Sequence, residues 1–175
     1  MRLGAARMDS PLGRLILVVH DGRLCGLSFP GGWSGLRRHL AARFGEVAFE
    51  SGEEQSAVVR CVSSYFAGEL TALDEIEVDP GGTPFQQKVW RALRRIPHGQ
   101  TSSYRELAHA VGQPGAARAV ATANATNPVA IVIPCHRVIH ADGSISGYGG
   151  GVERKRWLLR HEAEHRTFAL TPYGR

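Results

Sequence analysis

Cysteine is scarce in this sequence: Cys25, Cys61 and Cys135 stand alone in 175 residues, and no two form a CxxC pair. An odd, scattered set argues against a disulfide framework and a cysteine-rich zinc site, and leaves at least one thiol free. Long hydrophobic runs are also missing, since none approaches the ~18–20 residues that a membrane span requires. Residues 1–9 hold no apolar stretch long enough for a signal peptide, so a chain that stays inside the cell is expected. What remains is ordinary globular composition, 43% hydrophobic and 21% charged, which excludes collagen, coiled coil and disordered tail. Basic residues exceed acidic ones by 21 to 16, a net +5. That moderate, unclustered excess permits an anionic partner without demanding one.

Two apolar runs, Leu15 to His20 and Arg23 to Phe29, flank Asp21-Gly22, the dipeptide that best supports a two-residue hairpin turn. Leu36, Leu40 and Phe44 then fall at helical spacing. Val58, Cys61, Val62, Tyr65 and Phe66 do so again, with Gly68 as terminator. Ile76-Glu77-Val78 reads as a short returning strand. The turn-rich stretch from Asp79 to Pro84 reads as a connection, placing one domain at residues 1–79 and a second at 80–175.

The second half opens with Thr83 as helix cap and Pro84 in the first turn, and Phe85, Val89, Trp90 and Leu93 make an apolar face. Ser102-Ser103 then caps a helix through Ala108, Gly112 to Gly115 turns the chain, and a helix from Ala116 to Asn124 follows. This pattern fits a helix-turn-helix, and equally an αα-hairpin with no nucleic-acid role. Arg118 is the one strongly basic residue of the second helix. Its small neighbours Ala116, Ala117, Ala119, Thr122 and Ala123 suit close approach of backbone to a groove better than the reading of base edges.

Val129 to Ile133 is apolar at every position and reads as a buried strand that ends at Pro134-Cys135-His136-Arg137. Pro134 stiffens the bend, so Cys135 is presented as a held nucleophile, with His136 and Arg137 both able to favour its thiolate. Cys25 and Cys61 read instead as small core hydrophobes. Adjacent side chains in extended backbone point apart, so His136 needs a turn or a bridging water to reach Cys135. Glu162 shares a helix face with Leu158 and Leu159 while the basic residues of that segment point elsewhere. A carboxylate facing a core requires a partner, and His136 is the economical one, giving a Cys-(water)-His-Glu relay.

Pro134-Cys135-His136-Arg137-Val138, preceded by Asn127-Pro128 and followed by Gly147-Tyr148-Gly149-Gly150 and Leu158-Leu159-Arg160-His161-Glu162, resembles the O6-alkylguanine-DNA alkyltransferases. Phe85 to Trp90, Ser103-Tyr104 and Ala116 to Val120 fall in the family's order, so the resemblance spans about residues 82–163. The first half matches only through Asp9 to Gly13 and Tyr65 to Gly68.

The resemblance implies direct-reversal DNA repair. An alkylated guanine is flipped out of duplex DNA and gives its alkyl group irreversibly to Cys135, once per molecule, with O4-alkylthymine as a second substrate. By the same resemblance His136 and Glu162 activate Cys135 through water, and Asn127 ties the reactive turn to neighbouring backbone. Arg118 fills the vacated base position. Tyr104 pushes the flipped phosphate and donates a proton toward the leaving guanine, as a poor anionic leaving group requires. The base pocket would comprise the Val138 carbonyl, Tyr148, Gly149, Gly150 and Asn124. Gly149 stands where some members carry Ser, and Asn124 where the residue is often apolar. The implied architecture is an α/β N-terminal domain built on an antiparallel sheet, followed by a mainly α C-terminal domain with the helix-turn-helix. No metal or cofactor is expected. The partner is alkylated double-stranded DNA, bound by a protein that is monomeric in solution, with assembly along DNA left open. Abundant Ala, Gly and Arg point to a GC-rich bacterial source, and without a signal-peptide stretch a cytoplasmic protein is expected.

Overall fold

The computed structural model describes residues 1–145 and 147–166; Ser146 and the end of the expected second domain, 167–175, lie outside the described residues. The hairpin forms as β2 (Leu15–His20) and β3 (Arg23–Ser28). Asp21 and Gly22 both take positive φ, 49° and 72°, as a two-residue turn matched to strand twist requires. Before it runs β1 (Arg2–Met8), antiparallel to β2 in the register Gly4↔Val19 to Met8↔Leu15. After α1 (Trp33–Phe44), β4 (Ala48–Glu50) pairs parallel with β1. The sheet order is therefore β3-β2-β1-β4. It is mixed, not antiparallel as expected: α1 acts as a crossover, and a crossover returns the chain in the same direction.

Alternation along β2 sends Leu15, Leu17 and Val19 to one face and Val18 to the other. The first set packs with Val58, Val62 and Tyr65 of α2 (Glu53–Phe66), and Val18 packs with Leu36 and Leu40 of α1. Helices thus cover both faces. Fully burying one such side chain contributes about 1.5–3 kcal/mol. Ile76 to Val78 does not form a strand; Leu24 and Val78 make a single parallel bridge instead.

The first-face core continues without a break into the second half, through Val89, Trp90, Leu107, Val120 and Val138 to Leu158. There α3 (Pro84–Arg94) and α4 (Tyr104–Ala110) each start with a reciprocal capping box, Thr83 with Gln86 and Ser103 with Glu106. A tight turn then leads to α5 (Ala117–Ala125), and α6 (Val152–His165) closes the described chain. The two-residue strands β5 (Ser102–Ser103) and β6 (Val138–Ile139) pair in parallel, which sets the start of α4 beside the segment after Cys135.

Val129 to Ile133 is not the expected strand. Val129 makes one bridge to Leu27 of β3, and the chain then coils on itself, with Val132 N–H donating to Ala130 O at 2.8 Å and Ile133 N–H to Val129 O at 3.0 Å. Ile131 sits at φ 71°, a left-handed conformation that costs a β-branched residue of order 1–3 kcal/mol. Complete burial of Ile131 holds it there. An all-apolar run specifies burial but no periodicity, so it fits a buried turn as well as a strand. Among the described residues no helix is long and apolar enough to cross a membrane.

Candidate active site

Cys135 opens a single 3-10 turn, Cys135–Arg137, and lies 7% exposed. Asn127 fixes this turn. Its Nδ2 donates to Ile133 O at 2.7 Å and lies 3.1 Å from Cys135 Sγ, while its Oδ1 accepts from Val129 N–H at 2.9 Å. Burial pushes the Cys135 thiol up. The Asn127 amide, the Lys155 charge and the N–H groups of Cys135 and His136 pull the other way without overcoming it, so the resting group is a thiol. Forming its thiolate would therefore require a base. Cys25, bonded to Val18 O and pushed up to about 11 by burial, is a core hydrophobe, and all three cysteines are free.

A candidate base stands next in sequence. His136 is fully buried, with Nε2 2.8 Å from Glu162 Oε1. Four donor contacts converge on Glu162: His136, Tyr65 Oη at 2.9 Å, Arg137 Nε at 2.8 Å and Arg137 Nη2 at 2.9 Å. Burial disfavours its carboxylate, but His136 and the two-pronged Arg137 guanidinium outweigh that and hold Glu162 well below the usual carboxylate range. Burial pushes His136 down, so it is neutral, and the permanent charge that keeps Glu162 ionised is that of Arg137. An ionised carboxylate only accepts, hence Nε2 carries the imidazole proton and Nδ1 is a bare acceptor. Nδ1 is buried with no hydrogen-bond partner among the described residues.

Two expectations need correction here. Arg137 does not favour the Cys135 thiolate; its guanidinium is spent on Glu162, on Ile96 O at 2.7 Å and on His98 Nδ1 at 2.8 Å. Nor do all basic residues of α6 point away from the core. Lys155 is fully buried, donates to Val138 O at 2.6 Å, and supplies the cation near Cys135. It lies three residues before Leu158 and seven before Glu162, a helical spacing that places all three on one face and was visible in the sequence. Tyr65 was legible as core but not as a Glu162 donor, because only the tertiary fold brings α2 to α6.

Around this centre Tyr104, at the start of α4, is half-buried with its ring 5.7 Å from His140. Burial, and then the nearby Cys135, push its phenol up, so it keeps its proton. Tyr148 stacks edge-on against Phe29 at 5.8 Å, and its buried hydroxyl has no partner among the described residues. Gly150 is required by close approach, since a Cβ there would fall 2.6 Å from the Phe29 ring. Gly149 is exposed and open. Asn124 is buried, with Nδ2 3.4 Å from Cys135 O and Oδ1 unpartnered among the described residues. Val138 is buried in β6.

On α5, Arg118, Ala119 and Thr122 are exposed together, and Ala116 and Ala117 at its start are half-buried. Ala123 faces inward and cannot meet a partner as expected: it is 3% exposed, and its carbonyl accepts from Trp90 Nε1 at 2.8 Å. The face toward α3 is core. Among the described residues no group of three or more His, Cys, Asp or Glu side chains is placed to hold a metal.

Residues 84–164 match the model of the 6-O-methylguanine DNA methyltransferase DNA-binding domain. Over 164 residues the chain is 46% identical to a methylated-DNA–protein-cysteine methyltransferase of Mycolicibacterium paratuberculosis, covering 94% of each. The chain belongs to the methylated-DNA–protein-cysteine methyltransferase family. Another member, from Salmonella typhimurium, is 43% identical over 93% of this chain and 96% of its own. Among solved structures, the O6-methylguanine methyltransferase of Mycobacterium tuberculosis superposes with a TM-score of 0.79 at 42% identity, covering 96% of this chain and 97% of that one. The OGT of Mycobacterium tuberculosis, solved in complex with DNA, superposes with a TM-score of 0.78 at 42% identity, covering 94% of each chain. The methyltransferase family therefore covers nearly the whole chain, including the first half, where the sequence resemblance was slight.

Proposed function

We propose that this methyltransferase removes the alkyl group from O6-alkylguanine in duplex DNA, and from O4-alkylthymine, by transferring it once to Cys135. The observation that carries the reading is the pairing of a held Cys135 thiol with a neutral His136 whose Nε2–H is committed to Glu162 and whose Nδ1 is bare. The Cys135 proton passes through a water to Nδ1, and the thiolate attacks the alkyl carbon in line. The carbon–oxygen bond breaks as the carbon–sulfur bond forms, and Glu162 stabilises the imidazolium. The guanine leaves with the electron pair and takes a proton, for which Tyr104, held in its protonated form, is the donor.

Residues 80–175 form the DNA-binding and acceptor domain in this reading, with residues 1–79 as its α/β partner. The α4–turn–α5 unit acts as a helix-turn-helix whose exposed Ala119 and Thr122 lie on the groove, and Arg118 enters the duplex where the lesion has left it. The flipped base sits by Tyr148, Gly149 and Asn124. Its exocyclic amine is accepted by the carbonyls of Cys135 and Val138, each of which has a second lone pair beyond the one used by Asn124 or Lys155. The protein acts as a cytoplasmic monomer without metal or cofactor. Counting restored guanines per protein molecule, on duplex carrying one O6-methylguanine, tests the proposal. One per chain, and none with Cys135→Ser, is expected; turnover beyond one overturns it.

A further inference from the structure

Arg137 is held on its outer side by residues that take no part in the relay. Nη1 donates to Ile96 O, and Nη2 faces His98 Nδ1 at 2.8 Å, in the connection that follows α3. A guanidinium has only donors, so His98 Nδ1 must be the bare nitrogen and Nε2 must carry the proton. Nε2 accordingly donates to Asp74 Oδ1 at 2.9 Å. A continuous hydrogen-bonded line results, from Asp74 through His98, Arg137 and Glu162 to His136. Its outer end meets solvent, the His98 and Asp74 side chains being 20% and 62% exposed.

We infer that His98 is a positioning residue for alkyl transfer, holding Arg137, and through it Glu162 and His136, in place in its neutral form alone. The inference rests on the alkyl-transfer reading above. A protonated His98 would point a second N–H at Nη2, losing that bond and setting a cation against the guanidinium. His98 itself meets Asp74, from the 3-10 segment Leu70–Glu75, and Arg137; Arg94 of α3 is close enough to feel both of those charges, Glu162 stands beyond Arg137, and the Arg166 side chain lies against the neighbouring Gly99. Asp74 alone favours the proton from outside, while Arg137 opposes it at Nδ1. A proton on Nδ1 would therefore release the guanidinium, which makes the hold on Arg137 sensitive to acid.

Single-turnover transfer from O6-methylguanine duplex, followed from pH 5 to 8.5, tests the inference with two variants. His98→Leu removes the acceptor and is expected to slow transfer roughly threefold to tenfold at pH 8, with binding to unmodified duplex unchanged. His98→Asn offers Oδ1 at the position of Nδ1 and does not titrate. Its rate is expected within about twofold of wild type at pH 8, and the ratio of wild-type to His98→Asn rate is expected to fall as the medium is acidified. A His98→Leu protein matching wild type at every pH, or a ratio flat with pH, overturns the inference. A folded wild type that removes no alkyl group overturns the reading on which it rests.

Discussion

At Glu162, three side chains meet one carboxylate: Tyr65 from α2, and His136 and Arg137 from the reactive turn. Glu162→Gln keeps the shape but leaves Arg137 buried without its anion, a loss of about 3–5 kcal/mol. It also withdraws the charge that stabilises imidazolium, so single-turnover transfer should fall by about 10²-fold. Urea unfolding and transfer kinetics on the same preparation read the two effects. Tyr65→Phe removes one hydrogen bond to a charged group and is expected to lower stability by about 1.5–3 kcal/mol, with a much smaller loss of rate than Glu162→Gln. A Glu162→Gln protein with wild-type transfer would mean that His136 works without the carboxylate.

At the scale of the element, α5 divides its duties by face. Arg118, Ala119 and Thr122 look outward, while Val120, Ala123 and Asn124 look inward. Arg118→Ala should therefore slow transfer from duplex DNA by about tenfold or more while leaving alkylation of Cys135 by a free O6-alkylguanine base unchanged. Equal loss on both substrates would place Arg118 in the chemistry rather than in base extrusion. Elements set by local bonds were legible in the sequence: the Asp21-Gly22 turn and the caps at Thr83 and Ser103 need only neighbours a few residues away. Elements set by distant partners were not. β1 contains Gly4-Ala5-Ala6, poor strand formers that become a central strand only because β2 and β4 flank them. Ile131 is bent by its complete burial together with a turn of backbone hydrogen bonds that an all-apolar run does not announce. In the candidate site, Cys135, His136 and Glu162 could be read from motif and helical period. The outer contacts of Arg137 could not, since Ile96 and His98 lie 41 and 39 positions away along the chain.

Across the whole molecule, the relay couples stability to pH. His136 is pushed down by burial, so below about 6.5, the ordinary histidine value, the unfolded chain takes a proton that the folded one refuses, and stability falls with pH. Glu162 is held below its ordinary range, so its contribution is complete above about 4.3 and is lost as pH drops further toward the folded value. Urea midpoints should thus decline between pH 7 and 5, and His136→Gln should flatten that decline. One continuous core from Leu15 to Leu158 makes unfolding of the relay part of the same cooperative event as unfolding of the sheet.

The most direct test of the central claim is intact-mass spectrometry with peptide mapping, after the reduced protein is mixed with excess duplex carrying one O6-methylguanine. The account predicts one methyl adduct per chain, saturating, and located on Cys135. No adduct on a folded protein that binds the lesion tightly, or an adduct on Cys25 or Cys61, would contradict it.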